Sequence, residues 1–382
     1  MGITTTRTLT SSEAVVERLR GHIRRRTTDL ADGVWHEPVD HYLDGARFES
    51  ELQVLRATAV PFCPSAAVAE PGSFLARDAA GLPVVVVRDR DGELHALRNV
   101  CRHRGAAVAC GAGRAPALVC PYHGWVYRLD GRLRRAPDAV GFPDLDVADT
   151  RLAALDAFEC HGLVFVQQRE RTVPSEFDEL AGVVTDDFAY AGSAENEQPV
   201  NWKVLVETFL EGYHIRHLHQ TTFFPIQYDN VNLVERFGPN SRVTFPFRNI
   251  ERDFDTADPM AVRGRLTFVY HLFPNVLLVT FPGRVVMVVL EPLSVERTRV
   301  LTYRWLRPDG ADRSAAVGLV DQGTAEDFAV ARTIQHGLDS GANRHLHFGR
   351  FEGAIIHFHQ TLDAALGTRR PQPAESEYGR WT

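Results

Sequence analysis

The sequence predicts an α+β protein in two parts, and three patterns carry that prediction. From Gly45 to about Gln167, short apolar runs alternate with turn residues, the pattern of a small domain built of β-hairpins. From 242 to 306 longer runs alternate as antiparallel strands, punctuated by Phe273-Pro274-Asn275, Pro282-Gly283 and Pro292. Helical spacing then covers 313–338 and 353–366, and a sheet followed by a long helix makes a layered domain. At 382 residues the chain exceeds one ordinary domain, so hairpins and layered sheet are expected as separate units.

The elements follow in order. The first stretch, 1–45, starts polar and has helical spacing over 12–30, with Val15, Val16, Leu19 and Ile23 on one side. Arg24, Arg25 and Arg26 crowd its end, where cations complement the helix dipole. A continuous apolar strand at 82–88 turns at Asp89-Arg90-Asp91-Gly92 and returns along 94–100. Strands at 117–120 and 126–129 repeat the arrangement before the turn Asp130-Gly131. Acidic and polar residues from about Thr172 to Gln198 predict an interdomain connection. Trp202, Leu205, Val206, Phe209, Leu210 and Tyr213 keep helical spacing, so 201–219 is expected to be a helix with one buried face. The predicted strands of the second sheet are 242–248, 266–272, 276–281, 285–290 and 298–306. No repeats occur, and 369–382 is a biased tail.

Composition narrows the function. With 44% hydrophobic and 24% charged residues the chain can bury a large core. A formal charge of −7 argues against nucleic-acid binding, which calls for a basic face. Five cysteines, two of them in a metal-ligand pattern, point to a reducing cytoplasm rather than a disulfide scaffold, leaving Cys63, Cys110 and Cys160 as ordinary thiols. No apolar run reaches the ~20 residues of a membrane span, and no signal peptide is visible. Met1-Gly2 with Thr6 formally matches a myristoylation pattern, a match short enough to arise by chance.

The ligand pattern is Cys101-x-His103 and, sixteen residues later, Cys120-x-x-His123, each pair followed by a glycine, Gly105 or Gly124. Two thiolates and two imidazoles on two short loops make a four-ligand metal site. Such a set suits tetrahedral Zn²⁺ and equally suits a [2Fe–2S] cluster in which two histidines serve one iron. Zinc fingers usually keep each half-site homotypic, whereas here each half-site is mixed, so each loop can give its cysteine to one iron and its histidine to the other. Tyr122 and Trp125 are placed to shield the cluster from water.

Such a cluster only relays electrons, and more than half of the chain remains. A second centre is available around Glu211, His214, His217 and His219, since two histidines and a carboxylate on one face of iron leave positions open for O2 and substrate. On an ideal helix His214 and His217 are about 60° apart and His214 and His219 about 140°, so geometry alone selects His217.

Cys101–Trp125 resembles a Rieske domain, and Asn201-Trp202-Lys203 followed by Glu211-x-x-His214-x4-His219 resembles the terminal oxygenase (α) subunits of Rieske non-haem iron oxygenases. The resemblance implies an N-terminal all-β Rieske domain at 46–170 and a helix-grip, antiparallel-sheet catalytic domain at 171–382, with 1–45 packed on the latter. It implies a cluster held by Cys101, His103, Cys120 and His123, and a mononuclear Fe(2+) held by His214, His219 and an aspartate on a late helix. Asp327 in Ala325-Glu326-Asp327-Phe328 fits that place, with Asp321 and Glu326 as alternatives. Asn201 and Glu211 are the implied catalytic residues, Glu211 as a bridge between a neighbouring subunit's Rieske histidine and an iron ligand. Most aromatic-ring members have Asp there; Glu is similar to the carnitine, choline and betaine group, so quaternary-amine monooxygenation stands beside aromatic hydrocarbon catabolism. His357 and His359, two apart on a helix, point to opposite sides and suit structural or pocket-lining roles rather than a metal pair.

The implied reaction is mono- or dioxygenation, or oxidative demethylation, of a small substrate in a pocket lined by Phe268, Tyr270, Phe273 and Phe281. Electrons are expected from NAD(P)H through a separate ferredoxin or flavin reductase, because the chain has no G-x-G-x-x-G fingerprint. A homotrimer is implied, with or without a β subunit, each cluster serving a neighbour's iron. The competing class is a Rieske electron carrier with an appended domain, which leaves the histidines and acids after residue 200 without a purpose.

Overall fold

The computed structural model describes residues 9, 12–169, 177–254, 264–308 and 313–368. The Met1-Gly2 pattern, the expected domain boundary at 170/171 and the tail at 369–382 lie outside the described residues.

The chain opens with α1 (Ser12–Arg25), β1 (Trp35–Pro38), α2 (Asp40–Leu43) and α3 (Gly45–Ala57). The last departs from the strands expected after Gly45. Asp44 caps α3 by accepting from the backbone N–H groups of Ala46 and Arg47. Its buried side carries charge: Glu51, 1% exposed, accepts from Lys203 Nζ and Trp202 Nε1 at 2.8–3.0 Å, and Arg47 donates to Asp363 at 2.8 Å. A helix that buries charged residues lacks the apolar periodicity by which a helix is recognised.

The hairpin unit follows: β2 (Val60–Pro64), β3 (Ser73–Ala79), β4 (Leu82–Arg88), β5 (Leu94–Arg98), β6 (Gly111–Arg114), β7 (Leu118–Val119), β8 (Val126–Tyr127), β9 (Leu133–Arg135), β10 (Ala154–Cys160) and β11 (Leu163–Gln167). One sheet has the order β2-β11-β10-β5-β4-β3-β6, and β7-β8-β9 form a smaller one. Val84, Val85, Val86 and Val87 are all fully buried, because β4 is covered on both faces. Asp89 fixes the β4–β5 turn by accepting from the backbone N–H groups of Asp91 and Glu93. The strand then runs straight into the Cys101 loop.

The second unit contains β12 (Ala189–Gln198), α4 (Trp202–Phe209), α5 (Ile215–Leu218), β13 (Leu233–Phe237), β14 (Asn240–Pro246), β15 (Leu266–Leu272), β16 (Val276–Phe281), β17 (Arg284–Ser294), β18 (Arg297–Leu306), α6 (Arg313–Asp339), β19 (His345–Phe348) and α7 (Gly353–Leu366). Its antiparallel sheet has the order β12-β18-β17-β16-β15-β14-β13. Three strands depart from expectation, the short β19 among them. β13 was not expected, and β12 replaces a connection: its polar residues Glu195 and Glu197 are those of a charged, solvent-facing edge strand.

Alternation sorts the sheet's side chains. Val269, Val279, Val286 and Val288 pack with Trp202 and Phe358 on the helix side. Phe268, Tyr270, Leu278 and Met287 pack on the other side with Phe62 and Phe165 of the hairpin unit. Asp29 and β1 lie on the same unit, since β1 pairs with β19 and Asp29 accepts from the Val234 N–H at 2.9 Å. The expected single helix over 201–219 is broken between α4 and α5. At Gly212 an added Cβ would lie 2.5 Å from Asn232 Oδ1 and 3.0 Å from the Phe245 ring, so only glycine lets the broken helix sit this close to the sheet.

Candidate metal centres

The two cysteine loops share one hydrogen-bond plan. The Cys101 N–H donates to Ala106 O at 2.8 Å and the Gly105 N–H to Cys101 O at 2.9 Å; the Cys120 N–H donates to Trp125 O at 2.8 Å and the Gly124 N–H to Cys120 O at 3.0 Å. Both glycines have left-handed backbone, φ +79° and +68°, which closes each loop without a Cβ penalty. Cys101 and Cys120 are buried while His123 is exposed and His103 half-buried, so sulfurs face inward and imidazoles outward. The two imidazole rings lie 4.6 Å apart edge to face, and buried Trp125 stacks on His103 at 5.2 Å.

Two details differ from the sequence reading. Tyr122 is 56% exposed, so it covers the His123 ring without itself being shielded from water. Tyr127, which sequence reasoning passed over, is fully buried beneath the loops: its O–H lies 3.2 Å from Cys101 Sγ and accepts from the Arg102 N–H at 2.9 Å. Burial and then the Cys101 sulfur hold its hydroxyl well above the usual tyrosine range. A buried tyrosine needs a partner for its hydroxyl, and that was the available signal.

The second centre is assembled at the helix break. His214 closes the turn after Gly212 and His219 ends α5, so their Nε2 atoms lie 3.2 Å apart although an unbroken helix would part them. Asp327 on α6 brings Oδ1 to 3.0 Å from His219 Nε2 and 3.6 Å from His214 Nε2. His214, His219 and Asp327 each offer one ligand atom, all within 4.8 Å of one another. Each imidazole is anchored from behind: His214 Nδ1 bonds Glu211, and His219 Nδ1 lies 2.7 Å from Glu326, which also accepts from Thr222 at 2.7 Å.

This donor set fits a metal ion. With Nδ1–H of each ring given to a carboxylate, the neutral tautomer turns the Nε2 lone pairs toward Asp327. Asp327 Oδ1 is buried and has no hydrogen-bond partner among the described residues, even at 3.0 Å from a ring nitrogen. Three acceptors facing one point repel one another unless a cation lies between them. The titration of His214 agrees: burial works to lower its pKa, yet Glu211 and Asp327 outweigh it and raise it, so the pocket is short of positive charge.

The other residues singled out in the sequence are elsewhere. His217 is exposed and outside the cluster, because the helix stops and restarts and the ideal 60° spacing does not apply. Asp321 pairs with Arg284 at 3.2 Å, and Glu326 supports His219. Asn201, expected as catalytic, is the N-cap of α4: it accepts from the Lys203 N–H and donates to Tyr42 O and Val295 O, and it is not part of the cavity lining. His359 is buried against Glu207 at 2.9 Å, and burial pushes His357 down to about 4. Both serve the packing of α7.

A cavity of about 300 Å³ opens beside His214, His219 and Asp327. Its walls are largely apolar, with Phe209, Phe245, Val269, Val286 and Val288 among them. Of the aromatic residues expected there only Phe281 is present. Phe268 and Tyr270 point to the opposite face of β15, where Arg242 lies over their rings at 5.1 and 5.8 Å, because strand side chains alternate with period two and Thr267 and Val269 hold the cavity side. Phe273 is buried in the helix-side core away from the lining.

A cysteine–histidine loop domain joined to an antiparallel-sheet domain with two histidines and a carboxylate at a helix break defines the class of cluster-fed, iron-dependent oxygenases. Residues 58–150 match the Rieske [2Fe-2S] domain, and residues 185–368 match the ring hydroxylating alpha subunit (catalytic domain). The chain belongs to the Rieske non-haem iron oxygenases, as a terminal oxygenase (α) subunit. It is similar to the chloroplastic choline monooxygenase of Beta vulgaris, 27% identical over 78% of this chain and 70% of that protein. It is also similar to the carnitine monooxygenase oxygenase subunit of Escherichia coli (strain K12), 27% identical over 86% and 93%. In fold it is like the quaternary ammonium Rieske monooxygenase CntA in complex with L-carnitine, with TM-score 0.74, 21% identity, and 95% and 100% of the two chains covered. It is likewise similar to naphthalene 1,2-dioxygenase from Rhodococcus sp. bound to indole, with TM-score 0.72, 16% identity, and 94% and 99% covered. The protein is therefore an oxidoreductase of the Rieske oxygenase type, using a [2Fe–2S] cluster, a mononuclear iron and electrons from a separate reductase. No helix among the described residues is long and apolar enough to cross a membrane.

Proposed function

We propose that His214, His219 and Asp327 hold the mononuclear Fe(II), that Cys101, His103, Cys120 and His123 hold the cluster, and that the enzyme hydroxylates or oxidatively demethylates a small, mostly apolar molecule in the adjoining cavity. The observation that carries this reading is the convergence of two Nε2 atoms and an unpartnered, buried carboxylate oxygen, each imidazole braced from behind by a second carboxylate. When bound, the iron supplies reductive activation of O2 with electrons delivered by the cluster. The protein's residues do the rest: Glu211 and Glu326 hold the imidazoles in place, and the valine and phenylalanine walls keep bulk water from the reacting atoms.

Glu211 also serves as the bridge to a cluster histidine of a neighbouring copy, in a homotrimer with or without a β subunit. Supporting this, His123 is exposed, and Glu211 bonds His214 next to the exposed Tyr213. The same reading places the protein in the cytoplasm, in keeping with Cys63, Cys110 and Cys160, none of which is in a disulfide. The relatives named for choline and carnitine favour monooxygenation over aromatic hydrocarbon catabolism.

Asp327→Ala tests the iron site. The visible absorbance of the cluster is expected to remain while the second iron and turnover disappear; unchanged iron stoichiometry sinks the assignment. For Glu211→Gln both metals are expected to bind, with cluster oxidation uncoupled from product formation in a single turnover. Wild-type product yield in that experiment removes the bridge.

A further inference from the structure

The cavity end away from the histidines is cationic. Arg284 on β17 is 6% exposed, lines the cavity, and has Nε and Nη1 buried without a partner among the described residues. Its one hydrogen bond among the described residues runs from Nη2 to Asp321 Oδ1 at 3.2 Å, and that carboxylate is 54% exposed. Arg304 on β18 also lines the cavity, and its Nε too lacks a partner among the described residues. The strand register pairs Val286 with Arg304 and Arg284 with Leu306, which puts the two arginines diagonally adjacent on the cavity face.

The remaining cavity carboxylates are committed elsewhere. Glu211 bonds His214, and Asp327 faces the histidine pair. Among the described residues two guanidinium groups therefore face one half-exposed carboxylate. Burying a charged group with its donors unmet is costly, and a second carboxylate in the cavity would meet them. Asp321 precedes Asp327 by six residues on α6, so this end lies on the order of 9 Å along the helix from the metal ligand. One ring or a short chain fills that interval.

Resting on the reading that His214, His219 and Asp327 hold iron, we infer that the substrate is a small organic carboxylate with an apolar body. Its carboxylate is received by Arg284, with Arg304 adding positive charge, and its reacting carbon is turned toward the histidines. The valine and phenylalanine walls take the body between. A quaternary ammonium group without a carboxylate is disfavoured, since its charge would meet the arginines.

The test is calorimetric titration of the anaerobic holoenzyme with three probes: benzoate, its neutral analogue benzyl alcohol, and choline. Benzoate is expected to bind about tenfold or more tighter than benzyl alcohol, and choline is expected not to displace it. Arg284→Gln should weaken benzoate about tenfold to a hundredfold and leave benzyl alcohol within about twofold, and Arg284→Lys should restore part of the loss. Absence of saturable benzoate binding, equal affinity for the neutral analogue, displacement by choline, or an unchanged Arg284→Gln protein each overturns the inference. Should Arg284→Gln not fold, Asp321→Asn releases the guanidinium and is expected to tighten benzoate; no change overturns the inference. Iron content and cluster absorbance are measured on the same preparations. Loss of the carboxylate preference with iron bound refutes this inference alone, whereas iron retained in Asp327→Ala refutes the metal assignment beneath it.

Discussion

The two candidate metal sites are built on opposite principles. The loops at Cys101 and Cys120 use one plan twice: the cysteine N–H donates ahead to a carbonyl, and a left-handed glycine N–H donates back to the cysteine carbonyl. The site at His214 has no such internal symmetry. It is assembled from a broken helix and a distant one, and it depends on packing: at Gly323 an added Cβ would run into the Phe223 ring, so α6 can approach only through glycine. A site made of local hydrogen bonds resists change in the surrounding core. A site made by docking two elements inherits whatever disturbs the docking.

That contrast also decides what could be read beforehand. All four cluster donors fall within Cys101–His123 as two mixed cysteine–histidine half-sites, and the glycines that close the loops stand in the sequence beside them. For the iron site the histidines were visible, and the resemblance paired His214 with His219 where helix geometry did not. Periodicity argues for an unbroken helix and hence for His217, and only Gly212 against Asn232 and Phe245 explains why His219 arrives instead. The cavity lining was misread for a simpler reason: aromatic residues on β15 were visible, but which face they take depends on register, and Phe268 and Tyr270 lie on the other side, under Arg242. The helix α3 was hidden because Arg47 and Glu51 are buried by pairing rather than by being apolar.

The contrast can be broken from the iron side first. Among the described residues Glu326 hydrogen-bonds to His219 and Thr222 across the gap and to Gln322 on its own helix, so Glu326→Ala removes the anchor while keeping all three ligands. Iron affinity is expected to fall about tenfold to a hundredfold, read by titrating Fe(II) into metal-depleted protein, with cluster absorbance untouched. If iron binds as tightly as in the wild type, the docked-element view of this site is wrong and the ligands are held by their own backbone.

The smallest effect is expected on the other side, and it sharpens the comparison because nothing should come apart. Tyr127→Phe keeps the buried ring and deletes the hydroxyl that lies 3.2 Å from Cys101 Sγ. The loop skeleton runs through the backbone bonds of Cys101, Gly105, Cys120 and Gly124, none of which uses Tyr127, so the cluster should load fully. A hydrogen bond to a cluster sulfur favours the reduced, more negative state, so its loss lowers the reduction potential. With about 1 kcal/mol for such a bond and about 59 mV per tenfold change for one electron, the fall is on the order of tens of millivolts in a redox titration. An unchanged potential would mean the hydroxyl serves the Arg102 N–H alone, at 2.9 Å, and that the cluster's electronics are set by the paired loops without help from beneath.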